Sequence, residues 1–364
     1  MADPSQPAVT VKQVTSLPSV LLHDHLDGGL RPETIVELAD ASGYRDLPSE
    51  DPSTLARWMQ RGASRGDLAL YLETFAHTVG VMQTADALAR VARECAEDLA
   101  ADGVVYAEVR FAPELHTEGG LPLDGVIEAV LDGFRAGEEH ASIRVGTIVT
   151  AMRTGDRSLE AADLAVRWAD RGVVGFDLAG AEAGFPATDH RAAFDRVQAD
   201  GRLGTTIHAG EGDGLESIRG ALDCGAQRIG HGVRLAVDLT DDDGPRLGPL
   251  AREILDRGVP LEMCPTSNVH SGAARSIEEH PLGAFADLGF RVTINTDNRL
   301  MSGTTQSREI AQVALANDWD LGKIERVTVT AAESAFLPPD ERRSLVETVI
   351  RPAFARLARP AADS

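Results

Sequence analysis

Eight short apolar runs with strand character recur along this chain, and most are separated by stretches that read as amphipathic helices. The runs are Val20–Asp27, Val104–Phe111, Ile143–Met152, Val173–Gly180, Gly204–His208, Arg228–Gly232, Pro260–Pro265 and Arg291–Thr296. The helical stretches include Ala85–Ala101, Leu123–Glu139, Leu159–Arg171 and Gly248–Arg257. Several end on a glycine just before the next run, at Asp102-Gly103, Arg171-Gly172 and Arg257-Gly258, where a helix end favours a left-handed residue. Parallel strands need a crossover between them, usually a helix, so this alternation predicts an α/β fold. Eight such units predict a closed TIM (β/α)₈ barrel.

The connection from about Gly28 to Gly103 is long and holds extra helical sequence, including Asp67–Val81. It follows the first strand, so it is expected over the C-terminal mouth, where barrel active sites lie. The stretch Lys323–Leu357 reads as added helices broken at Pro338 and Pro339. No Pro/Gly/Ser linker marks a second domain. Residues 1–364 are therefore read as one barrel domain, with its core at about residues 18–345.

Charge and composition narrow the partners. A net charge of −22 argues against nucleic acid, whose phosphates call for clustered Lys and Arg, and it favours solubility. No apolar run reaches the roughly 18 residues of a membrane span, and Met1–Ser19 shows no signal-peptide pattern. Three cysteines, Cys95, Cys224 and Cys264, form no CxxC pair, which points to a reducing compartment, the cytoplasm. Cys264 is read as a small packing residue.

The unusual polar residues gather at the strand ends. Side chains alternate along a strand, so His23, His25 and Asp27 are expected on one face of the first run. The fifth run leads into His208-Ala209-Gly210-Glu211, the sixth holds His231, and the eighth leads into Asp297-Asn298. Three histidines and one aspartate at a barrel mouth make a good ligand set for Zn²⁺, with a further position left for water. The remaining histidines, His77, His116, His140, His190, His270 and His280, are read as surface or cap residues. Lys12 and Lys323, the two lysines, lie off the barrel strands, so a carbamylated lysine cannot bridge two metals and one metal per chain is expected. The paired-Cys signature of other zinc deaminases is absent from the sequence.

Together these segments resemble the adenosine deaminase family. The resemblance rests on His23-Asp24-His25-Leu26-Asp27-Gly28, Asp177-Leu178-Ala179-Gly180, His208-Ala209-Gly210-Glu211, Arg228-Ile229-Gly230-His231-Gly232 and Asn295-Thr296-Asp297, in the family's order. It implies that His23, His25, His208 and Asp297 hold Zn²⁺. It implies that Glu211 protonates purine N1, and that His231 orients the attacking water. The expected substrate contacts are His25, Asp27 at the ribose 5′-hydroxyl, Gly180 at N3, and Asn298. Gly180 is equally readable as a turn residue, and the apolar residues of Leu68–Phe75 as mouth lining or core. Asp177 is expected to orient neighbours, and Arg153 and Glu182 to form supporting pairs.

The chain departs from the family at two positions. Many members carry a second carboxylate after the metal aspartate, against purine N7, where this chain has Asn298. The acid that often follows the glycine of the fourth strand is replaced by Ala181, and Glu182 comes one residue later. Asn298 either keeps the N7 contact through its amide or caps the turn. The implied reaction is hydrolytic deamination of adenosine and 2′-deoxyadenosine to inosine and ammonia. The alternative substrates are adenine or a 5′-modified adenosine.

Overall fold

The structure is a computed structural model that describes residues 10–240 and 246–357. Its strands are β1 (Ser19–His25), β2 (Val104–Phe111), β3 (Arg144–Met152), β4 (Val173–Ala179), β5 (Gly204–Ala209), β6 (Arg228–His231), β7 (Leu261–Met263) and β8 (Val292–Ile294). Each pairs in parallel with the next in this order. The ring closes where His25 N–H donates to the Asp297 carbonyl at 2.7 Å and Asp297 N–H donates to the His23 carbonyl at 3.0 Å. Asn295 completes the seam by accepting the Leu22 N–H on its side chain at 2.9 Å. The chain thus forms the (β/α)₈ barrel that its alternating pattern predicts.

The strands depart from the expected runs in several places, β7 and β8 being shorter than theirs. β1 stops at His25, because Leu26–Gly28 curl into a 3₁₀ turn, so Asp27 is set by that turn and not by strand alternation. A short antiparallel pair, Leu239–Thr240 with Arg246–Leu247, was not expected. Between β1 and β2 lie Pro32–Ser42, Pro52–Ala63, Leu68–Leu72 and Phe75–Val81, ahead of the crossover helix Ala85–Ala101. The C-terminal helices break at Pro338-Pro339 as expected, between Leu321–Ser334 and Pro339–Ser344. Among the described residues no helix is long and apolar enough to cross a membrane.

The lower end of the barrel is filled by charge. Buried Arg228 reaches Glu108 Oε2 at 2.6 Å and Glu262 Oε1 at 2.5 Å. Buried Arg110 reaches Glu262 Oε2 at 2.8 Å. Burial alone would raise Glu262, but Arg110 and Arg228 hold its carboxyl well below the usual range. Buried ions persist only when paired in this way. Phe336, from the C-terminal extension, lies under the Arg228 guanidinium at 3.6 Å. It also fills the space that a methyl at Gly204 would occupy, 2.1 Å from its ring, and so plugs the barrel from below.

Candidate active site

Four strand ends bring His23, His25, His208 and Asp297 together, with one ligand atom from each lying within 4.8 Å of the others. Hydrogen bonds behind the rings decide which nitrogens face inward. His23 Nδ1 is 2.9 Å from Glu262 Oε2, and His208 Nδ1 is 3.0 Å from Asp177 Oδ1. A carboxylate accepts, so each Nδ1 carries the proton and each Nε2 points a lone pair into the cluster. His25 Nε2 and His208 Nε2 lie 3.2 Å apart, and Asp297 Oδ1 is 3.4 Å from His23 Nε2 and 3.3 Å from His25 Nε2. His23 Nε2 is buried with no hydrogen-bond partner. Burial, helped by Arg110, lowers His23 to about 4, which keeps it in the neutral form that binds metals. Lone pairs converging on one point repel each other unless a cation sits among them, so these residues fit a divalent metal.

The backbone is bent to serve this cluster. Asp297 and His231 adopt left-handed conformations, at φ +59° and +66°, which are uncommon for residues other than glycine. Asp297 is anchored by the Ser267 hydroxyl, which donates to Oδ2 at 2.5 Å and leaves Oδ1 facing the histidines. Asp177 does orient a neighbour, as expected. Against the effect of burial, His208 and Arg110 hold its carboxyl well below the usual range.

Glu211 and His231 stand beside the cluster. Glu211 Oε1 accepts from Ser271 Oγ at 2.8 Å, and Oε2 lies 3.4 Å from His231 Nε2. Burial raises the Glu211 carboxyl, against the opposing influence of His231. The loop that carries Glu211 is held by Glu182, whose carboxylate accepts the backbone N–H groups of Gly210, Glu211 and Gly212 at 2.5, 3.0 and 2.6 Å. The acid displaced by one position is therefore a backbone clamp. Arg153 supports the same loop by donating to the His208 carbonyl at 2.5 Å.

The surface-or-cap reading of the six other histidines holds only in part: His190 is the N-cap of Arg191–Asp200, but three of the six are not at the surface. His116, His190 and His280 are buried and not surface residues. His116 bonds the Met82 carbonyl at 3.1 Å, and His190 joins Ser158 at 2.9 Å to the Arg153 carbonyl at 3.0 Å. His280 is bonded to Asn268, which touches His231. His140 is exposed, and His77 and His270 are half-buried. Sequence reasoning also missed Ser267, Asn268, Ser271, Arg110 and Glu262. A signal existed for the last two, since each is a charged residue inside an apolar strand run.

Above the cluster lies a cavity of about 420 Å³, lined by all of the expected substrate contacts. That volume falls within the roughly 300–1,000 Å³ of small-molecule sites. Leu68, Tyr71 and Phe75 line it, so the segment of uncertain role borders the mouth. Asp27 is buried with Oδ1 unpartnered, and burial raises its carboxyl to about 7. Gly180 turns the chain at φ +105°, which supports its turn reading. Asn298 makes no capping hydrogen bond. Its Oδ1 is unpartnered and pressed against Gly28, where a methyl would lie 2.0 Å away.

Residues 18–352 match the sequence model of the adenosine deaminase family. The chain is 55% identical to an adenosine deaminase of Mycobacteroides abscessus over 94% of its own length and 97% of the relative. It is also 55% identical to adenosine deaminase 1 of Streptomyces coelicolor, over 95% of this chain and 89% of that one. An adenine deaminase structure from Arthrobacter aurescens superposes with a TM-score of 0.83 at 26% identity, covering 94% of this chain and 100% of the other. The barrel, its strand-end cluster and these matches together show that the chain belongs to the adenosine deaminase family of C–N bond hydrolases.

Proposed function

We propose that this chain hydrolyses adenosine and 2′-deoxyadenosine to their 6-oxopurine nucleosides and ammonia, acting as one barrel domain with one Zn²⁺ held by His23, His25, His208 and Asp297. The observation that carries this reading is the convergence of unshared lone pairs within 4.8 Å at the floor of a nucleoside-sized cavity. Zinc held by these four residues would supply an activated water. Glu211, raised by burial, holds the proton for purine N1, and its transfer makes C6 electrophilic. His231 hydrogen-bonds the attacking oxygen, and His25 forms part of the wall beside the base. The Gly180 N–H contacts N3. Free, buried Cys95, Cys224 and Cys264 fit the reducing cytoplasm.

Asp27 supports a nucleoside over a free base, because its unpartnered Oδ1 can accept the ribose 5′-hydroxyl. Steady-state assays on adenosine, 5′-deoxyadenosine and adenine test this. The 5′-deoxy substrate is expected to lose about 1–3 kcal/mol of transition-state binding, because it leaves a buried group unpaired. Equal kcat/KM for the two nucleosides would remove the Asp27 assignment. Faster turnover of adenine than of adenosine would overturn the nucleoside reading.

Asn298 is assigned to purine N7. N7 has a lone pair and no hydrogen, so its partner must donate, and an amide donates at every pH. With Oδ1 against Gly28, the amide nitrogen is the branch left for the base. Wild-type protein is expected to prefer adenosine over 7-deazaadenosine by about 1–3 kcal/mol, the cost of an unmet buried donor. In Asn298→Ala that preference should collapse. A ratio that survives the substitution sinks the N7 contact.

A further inference from the structure

A hydrogen-bond chain reaches His231 from two backbone N–H groups, and its direction can be followed atom by atom. The N–H of Leu282 lies 3.2 Å from His280 Nδ1. A backbone N–H only donates, so this Nδ1 holds a lone pair, and the neutral ring carries its proton on Nε2. Burial, reinforced by His231, lowers His280 to about 3, so the ring stays neutral. His280 Nε2 lies 3.1 Å from Asn268 Oδ1, and the same oxygen receives the Cys264 N–H at 3.2 Å. Two donors converge on that atom, one of them a backbone N–H, which fixes it as the amide oxygen. The other branch of Asn268 is therefore the NH₂ group, and it lies 3.0 Å from His231 Nδ1. That Nδ1 must accept.

We infer that Asn268 and His280 are positioning residues that lock His231 as an Nε2–H tautomer, so that it offers the cavity a proton and no lone pair. His231 Nε2 faces Glu211 Oε2 at 3.4 Å, on the side of the metal cluster. As a fixed donor it can hold the attacking oxygen. A ring free to exchange tautomers would spend part of its time presenting a lone pair to that oxygen and repelling it. The inference rests on the role given to His231 in the proposed reaction. Residues 268 and 280 lie outside the metal ligands and line no part of the cavity.

The test reads the tautomer itself. Zinc-loaded protein labelled with ¹⁵N-histidine is examined by two-bond ¹H–¹⁵N correlation, and His231 is assigned by the signals lost in His231→Gln. The wild-type spectrum should show a protonated Nε2 and an unprotonated Nδ1. A protonated Nδ1 overturns the inference. In Asn268→Asp the carboxylate accepts where the amide donated, so Nδ1 should gain a proton. An Nδ1 that stays bare there also overturns it. Fixing the wrong tautomer of a catalytic histidine can cost about 10⁴-fold in kcat, so a fall of at least about 100-fold is expected with zinc content unchanged. His280→Leu should lower kcat with little change in KM. His280→Gln, which can accept from Leu282 and donate to Asn268, should restore most of the loss, and equal impairment in both removes His280 from the chain. If Asn268→Asp fails to fold, the wild-type spectrum alone decides. The spectrum needs no substrate, so failure of this inference and failure of the proposed reaction are told apart.

Discussion

Replacing Glu211 with Gln is expected to lower kcat for adenosine by about 10²–10⁴-fold, the usual worth of general acid catalysis, while zinc stays bound. The amide keeps the shape of the side chain and can still accept from Ser271, which lies 2.8 Å from Oε1. The Glu182 clamp acts on backbone N–H groups, so the loop should hold its place. What the substitution removes is the transferable proton. Burial prepares that proton by raising the carboxyl above its ordinary range. Steady-state kinetics with elemental analysis of the same sample checks the expectation. A variant that keeps more than roughly a tenth of wild-type kcat, well outside that range, would take the proton-donor role from Glu211.

His208→Ala should abolish most activity through the metal. Wild-type protein is expected to hold about one Zn²⁺ per chain, from a set of three histidines and one aspartate. The variant deletes a ligand. It also removes one partner of Asp177, a buried carboxylate that bonds His208 Nδ1 at 3.0 Å. Loss of an outer partner alone typically costs about 10–100-fold in metal affinity, so loss of a ligand should exceed about 100-fold. Zinc content after dialysis against a weak chelator reads this directly. Two metals per active chain would refute the single-metal arrangement, which the absence of a lysine on the barrel strands supports.

The fold was legible because each barrel strand is a local event. Val104–Phe111 matches its expected bounds, since an apolar run between a glycine and a proline leaves little freedom. β7 and β8 are shorter than their runs and end at Met263 and Ile294, just before the turns that carry Cys264 and Asp297. The convergence of His23, His25, His208 and Asp297 was legible because strand ends in this fold share one address. Among residues acting through another residue, Asp177 was named through the family resemblance, but others were not. His280 and His231 are far apart in sequence, and the link between them is a hydrogen bond through Asn268 that no periodicity records. Glu262 is hidden in the same way, because it serves His23 from across the barrel.

The plugged lower end has a consequence for traffic. Arg228, its two carboxylate partners and Phe336 pack across the lower end of the barrel axis. Substrate, water, nucleoside product and ammonia share the opening bordered by Leu68, Tyr71 and Phe75. With one mouth serving the site, substrate entry and product exit are expected to compete for the same opening.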